Sequence, residues 1–425
     1  MIKAVCTTLF ASLLILILVS TSTTVIAQTN WEKYAGNPVI VPGPPGEWDD
    51  YWIFSGDVLF DDSTFHMWYS SWDSVNTRIG YATSPDGITW TKYAGNPVMD
   101  IGLPGSWDES GVSRPTVVYN ESVYHLWYWG ENTSGINRLG YATSPDGIVW
   151  TKYAGNPVMD VGPLGTWDDS GILFPDVIFS DSIYQLWYAG WDSTNLRIGY
   201  ATSADRINWI KYAGNPVLNL GEAGSWDSAG VTSPTVVYHD GIYYMWYTGG
   251  EEMIPGIPFL NISFPGYAFS SDGINWTKYA ENPISYDPSV VSSGDAYYDG
   301  SDYHMWFSFC EWDGECHYRI HYSTSATTGI DEKSNNIPNQ FELSQNFPNP
   351  FNPVTTIKYQ VPELSFVTLK IYDVLGSEII TLVNEEKPIG SYEIEFDATG
   401  LSSGIYFYKL QAGSFVETKK MILLK

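Results

Sequence analysis

The sequence predicts an all-β protein: a five-bladed β-propeller, its N-terminal strand closing the last blade, followed by a small Ig-like β-sandwich. Three observations carry this. The phrase KYAGNPV recurs at Lys33–Val39, Lys92–Val98, Lys152–Val158 and Lys211–Val217, with an altered copy, KYAENPI, at Lys278–Ile284. The copies start 59, 60, 59 and 67 residues apart, a period typical of a repeat architecture. Aromatic residues make up 16% of the chain, with 39 Gly and 25 Pro, a composition of short strands and tight turns.

The N-terminal residues 1–27 read as a signal peptide. Lys3 supplies the positive start, Leu9 to Val19 the apolar run, and Val25-Ile26-Ala27 the small residues before a cleavage site. An uncleaved anchor is the rival reading, disfavoured by the polar stretch Ser20 to Thr24. No other segment is long and apolar enough to cross a bilayer.

Residues 28–325 carry the repeat. Each period holds a WD pair (Trp48-Asp49, Trp107-Asp108, Trp167-Asp168, Trp226-Asp227), then a β run such as Arg114–Tyr119 and an aromatic strand such as Tyr124–Gly130. A YATSPDG turn and the KYAGNPV strand complete it. SPDG suits a type I turn, and its text resembles the Asp-box of sialidases one residue short; it reads as structural. Trp90, Trp150, Trp209 and Trp276 are expected to pack blade on blade. The first fourth-strand copy, Trp31–Ile40, precedes every other element, and the last unit lacks a fourth strand. Joining the two removes the exposed edge of an open ring. A solenoid would instead need distinct caps at both ends.

Cys310 and Cys316 flank five residues in an exported chain, and a hairpin there makes a disulfide geometrically reasonable. A metal site is the alternative, but two thiols alone make a poor one. Residues 326–340 read as a linker. Residues 341–425 alternate apolar and polar positions between turn signals, as a β-sandwich does. Their NFPNPFNP, IYDVLG and LSSGIYFYKL segments resemble the sorting domain of the type IX secretion system. The resemblance implies export through the outer membrane of a Gram-negative, Bacteroidetes-like bacterium, with the secretion machinery as a partner.

The chain has 20 Lys+Arg against 48 Asp+Glu, a net charge of −28. That excess argues against nucleic acid and anionic membranes, which need a basic face. Acidic and aromatic loops around a propeller cavity suit a carbohydrate partner. Trp72, Trp129, Trp191, Glu131 and Arg114 are the substrate-binding candidates. Departures from the repeat mark the best catalytic candidates. Aligned inner strands read Ser55-Gly56-Asp57, Arg114-Pro115-Thr116, Phe174-Pro175-Asp176, Ser233-Pro234-Thr235 and Ser293-Gly294-Asp295. Asp57, Asp176 and Asp295 fall at one level. Grouped carboxylates raise one another's pKa or bind a cation such as Ca²⁺; capping of strand starts is the competing reading. Glu109, in an entry loop, is a further acid, and Glu131 a spare one. Blade four carries a longer loop, Glu251–Phe264. His66, His125 and His304 recur in the second strand and read as packing residues.

The order NPV, WD, Pro-containing strand, MWY and YATSPDG resembles the five-bladed glycoside hydrolases and phosphorylases of families 43, 32 and 130. The resemblance implies glycoside cleavage by paired carboxylates. The family 43 and 32 enzymes place Asp just before the inner-strand Pro in early blades, where this chain has Ser55, Arg114 and Phe174. The Asp-Pro-Arg text of the phosphorylases is absent, so no catalytic residue transfers. Two functions follow: a divergent secreted glycoside hydrolase, or a non-catalytic, lectin-like glycan-binding propeller.

Overall fold

The computed structural model describes residues 31–61, 63–253, 260–285, 290–312, 316–326, 340–362, 365–387 and 390–424. The expected signal peptide, most of the linker and the tip of the blade-four loop lie outside them. No α-helix occurs among the described residues. The described residues within 26–335 and those within 336–425 form separate compact units.

The larger unit is built from four-stranded antiparallel modules. The first holds β2 (Trp52–Phe60), β3 (Phe65–Trp72), β4 (Thr77–Ser84) and β5 (Thr91–Lys92). The second holds β6 (Gly111–Asn120), β7 (Val123–Glu131), β8 (Asn137–Ser144) and β9 (Thr151–Lys152). The third holds β10 (Gly171–Ser180), β11 (Ile183–Trp191), β12 (Leu196–Ser203) and β13 (Ile210–Lys211). The fourth holds β14 (Gly230–His239), β15 (Ile242–Met253), β16 (Leu260–Ser270) and β17 (Thr277–Lys278). β18 (Val290–Tyr298), β19 (Asp302–Trp312) and β20 (Cys316–Ala326) form a last sheet, whose fourth member is β1 (Glu32–Lys33) from the start of the chain. β1 pairs with β20 in the register Glu32↔Thr324 and Lys33↔Ser323, and Ile40 bridges Ile320.

The repeated text is explained bond by bond. In the WD pair, Asp49, Asp108, Asp168 and Asp227 are buried and each accepts a hydrogen bond, at 2.6 Å, from the KYAGNPV or KYAENPI lysine of its own module: Lys92, Lys152, Lys211 and Lys278. The asparagine of NPV uses its amide to imitate a strand. Asn96 accepts from the Tyr81 N–H and donates to the Tyr81 carbonyl, and Asn37 does the same to Tyr322, across the chain ends. The SPDG serine and aspartate cap their own turn, Asp86 accepting from Ile88 and Thr89 N–H. The preceding module's second-strand tryptophan donates its indole N–H into that turn, Trp68 to Gly147 O at 2.7 Å and Trp306 to Gly87 O at 2.7 Å. Trp150 packs edge-on against Trp68, Trp209 against Trp127, Trp276 against Trp187, Trp90 against Trp306, and Trp31 against Trp246. The N-terminal Trp31 thus takes a place in the series that no later residue fills.

The recurrent histidines are second-strand packing groups. His66 and His304 each bridge a tyrosine hydroxyl and an aspartate, and His125 meets Tyr141. Cys310 and Cys316 form a disulfide across the β19–β20 hairpin, with Cα atoms 5.4 Å apart.

The smaller unit is a two-sheet sandwich. β21 (Glu342–Leu343), β22 (Val354–Val361) and β25 (Gly390–Asp397) form one sheet. The other has the order β24 (Glu378–Lys387), β23 (Ser365–Tyr372), β26 (Gly404–Ala412), β27 (Phe415–Leu423). Its core gathers Ile357, Tyr359, Leu369, Ile371, Tyr408 and Leu410.

Candidate functional site

Each inner strand is interrupted by a bulge at the residues aligned above. The register with the second strand shifts between Phe54 and Asp57, Ser113 and Thr116, Leu173 and Asp176, Thr232 and Thr235, and Ser292 and Asp295. In three modules the bulge residue is non-glycine with positive φ: Arg114 at 51°, Phe174 at 48°, Ser233 at 49°. Such backbone is costly and concentrates at functional sites.

Just beyond the bulge stand Asp57, Thr116, Asp176, Thr235 and Asp295. Each bonds the inner strand of the next module. Asp57 accepts from Val117 N–H at 2.8 Å, Thr116 from Val177 N–H at 3.1 Å, and Asp176 from Val236 N–H at 2.7 Å. Thr235 donates to Gly294 O at 2.6 Å, and Asp295 accepts from Val58 N–H at 2.7 Å, returning to the first module. The carboxyls crowd one another. Burial pushes Asp57 well above the ordinary range, with repulsion from Asp295 and Asp176 adding to it. Burial also raises Asp176, again reinforced by Asp295, and lifts Asp295 to about 7. Among the described residues no group of three or more carboxylate, histidine or cysteine side chains has the arrangement of a metal site. Each of the three carboxyls commits one oxygen to a strand amide.

On the entry side of this level lies an aromatic wall built around Arg114. Its guanidinium sits 4.8 Å from the Phe54 ring and 5.2 Å from Phe174, and donates to Ser55 O at 3.2 Å. Burial lowers its pKa to about 9. Phe54 packs on Tyr318 and Trp52, Trp52 on Trp72, and Trp72 on Tyr51. Phe174 meets Trp129 at 5.0 Å, and a cluster with Leu173, Trp191 and Leu196 follows. Met253, from the lengthened β15–β16 hairpin, packs against that cluster.

The sequence-derived candidates divide by position. Trp72 is half-buried in the wall, whereas Trp129 and Trp191 are buried and back it. Glu131 follows Trp129 by two residues on β7, on the same side of the strand. It is half-buried, and burial alone raises its pKa. Glu109 is half-buried on its loop, held by Gly105 N–H and Thr133 Oγ1, which keep its pKa low. Asp50 and Asp169 accept from Gly46 and Gly165 N–H in the same way. Sequence reasoning missed Phe54, Phe174 and Tyr318 as wall residues, and the alternation of aromatics in β2 was the available signal.

Residues 345–424 match the family model described as a secretion system C-terminal sorting domain. The chain ends in a sorting domain. It is therefore a secreted or cell-surface protein of the Bacteroidetes kind. An uncharacterized protein of Mycobacterium tuberculosis is 28% identical over 50% of this chain and 72% of its own length. A 1,2-beta-oligomannan phosphorylase of Thermoanaerobacter is 25% identical over 64% of this chain and 94% of its own. Among solved structures, a glycosyl hydrolase from Bacteroides ovatus aligns with TM-score 0.55 at 18% identity, over 73% of this chain and 97% of that one. The larger unit thus has a fold of the β-propeller glycosidase type.

Proposed function

We propose that the protein is a secreted carbohydrate-active enzyme, a five-bladed propeller that cleaves glycosidic bonds in the mouth above the aspartate level. The observation that carries this is the aromatic wall around Arg114, with the burial-raised acid Glu131 two residues beyond Trp129. Likeness to a glycosyl hydrolase fold and to an oligomannan phosphorylase supports it. The five-blade reading rests on the cycle of side-chain bonds from Asp57 through Asp295 back to Val58 and on the β1–β20 pairing.

In this reading the aromatic wall stacks on sugar C–H faces, and Arg114 orients a hydroxyl or carboxylate. Glu131, whose protonated form burial favours, gives its proton to the departing glycosidic oxygen as the C–O bond breaks. Asp295, partly ionised at neutral pH with a pKa of about 7, takes the proton of the attacking water or attacks the anomeric carbon itself. Glu109, tied to Gly105 N–H and Thr133 Oγ1 on its loop, takes no part in the step.

The test is sugar release from a panel of plant, algal and mannan polysaccharides, with and without inorganic phosphate. Turnover should fall about 100-fold or more in Glu131→Gln, the scale of a lost general acid. Full activity in that variant would overturn its role. One observation favours a second reading. All three aspartates bond strand amides, a structural duty that a lectin-like propeller also needs. Glycan binding without turnover, unchanged in Asp57→Asn and Asp176→Asn, would establish the lectin.

A further inference from the structure

The KYAGNPV repeat places a tyrosine on the outer part of each module that the blade-building bonds above do not use. Tyr34, Tyr93, Tyr153 and Tyr212 are 41, 41, 40 and 41% exposed. Each ring lies over the glycine two residues on. A Cβ built at Gly36, Gly95, Gly155 or Gly214 would come within 2.5 Å of that ring, so any larger residue there displaces it. None of these glycines has a positive φ, so the repeat needs them for space beneath the ring and not for a turn. The ring edge meets a third-strand tyrosine, as Tyr93 does Tyr81 at 6.3 Å. The result is a rigid, half-open aromatic plate.

The altered copy is an internal control. In KYAENPI, Glu281 replaces the glycine and accepts a hydrogen bond from the Tyr279 hydroxyl at 3.0 Å. Tyr279 is only 8% exposed. The plate is therefore present in four copies and closed in the fifth.

Two of the plates line open grooves of about 500 and 480 Å³. At Tyr93 the groove is walled by Trp48 and Trp90; beside the Asp49 and Asn96 already bonded within the module, it offers the exposed Glu47 and the third N–H of Lys92, whose other two go to Asp49 and Val41 O. At Tyr212 the equivalent Trp167, Trp209, Lys211, Asp168 and Asn215 recur. An aromatic plate beside a few fixed donors and acceptors is the chemistry of a pyranose ring: apolar C–H face on one side, hydroxyls around the edge. The chain's net charge of −28 selects neutral over acidic sugars.

We propose that Tyr34, Tyr93, Tyr153 and Tyr212 form four rim sites for the sugar rings of a neutral polysaccharide, distinct from the axial mouth, the last three flanked by a WD pair and Tyr34 offering its plate alone. Each site alone is weak. Four on one rigid body hold the protein on a repeating polymer by effective concentration. This inference does not depend on the mouth being catalytic.

The test is retention by neutral polysaccharides of the same panel in affinity gels and pull-downs with the full chain. The quadruple variant Y34A/Y93A/Y153A/Y212A should lose retention by about 100-fold or more, and each single variant by only a few-fold. A second set carries Gly36→Glu, Gly95→Glu, Gly155→Glu and Gly214→Glu together. It copies the closed plate that the fourth module already tolerates, and should lose retention with a thermal transition near that of the parent. Glu281→Gly should add retention. Glu131→Gln should leave rim binding intact whatever it does to turnover, which separates failure here from failure of the mouth. Undiminished retention in both multiple variants overturns the proposal, as does binding only to proline-rich peptide and to no glycan.

Discussion

The outer part of the modules and their inner strands obey opposite rules. Outside, four modules repeat the same bonds, from the aspartate–lysine pair to the asparagine clamp and the tryptophan in the next turn. Inside, the aligned residues vary, with Arg114 and Phe174 standing where the other three modules have Ser55, Ser233 and Ser293. A repeated text is what blade architecture requires, since each sheet must be closed and docked alike. A site facing a common axis has no such need, because one ligand meets all modules at once from different sides. The inner strands could therefore diverge without loss of the fold, provided one residue per strand still reached the next.

The largest effect should come from breaking the N-terminal contribution to this outer pattern. Removing residues through Ile40 deletes β1, the Ile40–Ile320 bridge, the Trp31–Trp246 contact and the Asn37 clamp on Tyr322. Ile320 and Tyr322, both buried, then lose their cover. The expected outcome is loss of the cooperative unfolding transition of the larger unit, followed by calorimetry and near-UV circular dichroism. Asn37→Ala and Asn96→Ala sharpen the point. The two asparagines make the same pair of backbone bonds, one across the chain ends and one within a module. Equal destabilisation, about 1–3 kcal/mol by urea unfolding, is expected. A negligible effect at Asn37 alone would show that the last sheet is closed differently.

The aspartate–lysine pair comes next. Asp108 is buried and its partner Lys152 about one-third exposed. Asp108→Ala leaves the ammonium without its carboxylate beside the Tyr128 ring. The cost should be about 3 kcal/mol, the lower end for a broken buried pair because Lys152 keeps some water. The double variant with Lys152→Met should recover part of it in a double-mutant cycle.

Legibility in the sequence follows the same division. The period, the strand order and the borrowed first strand were readable because identical bonds leave identical text. The Asp108–Lys152 pair was not, since its partners lie 44 residues apart, at opposite corners of a repeat. At the inner strands, the common level of Asp57, Asp176 and Asp295 was visible by alignment, but not that each carboxylate accepts from the next strand's amide. The wall around Arg114 was hidden because Phe54, Phe174 and Tyr318 come from three modules. Positive φ at Arg114 and Phe174 leaves no mark that a reader of residue types could find.

The smallest effect tests whether the inner strands carry the charge cost that their bonding implies. Five residues link successive inner strands, and two of them, Thr116 and Thr235, do so without a carboxyl. The other three crowd, and their raised pKa values set the sign of the pH dependence. A carboxyl whose folded pKa exceeds its unfolded value binds an extra proton in the native state, so stability falls as pH rises between the two. For Asp295 that window runs from the ordinary carboxylate range to about 7. The carboxylates pulled down to about 2, Asp86 and Asp205, act in the opposite sense, but their contribution is complete by about pH 5. From pH 5 to 8 these three aspartates should therefore lower the melting temperature by a few degrees, the scale of about 1–2 kcal/mol in a unit of this size, against the opposite pull of His125 and His239, which burial holds below the ordinary imidazole value. Asp295→Asn keeps an acceptor for Val58 N–H and removes the charge. It should flatten the decline while matching the parent at pH 5, and its gain at pH 8 should shrink if Asp176→Asn has already relieved the repulsion. A parallel decline in all three proteins would place the pH response outside the inner strands.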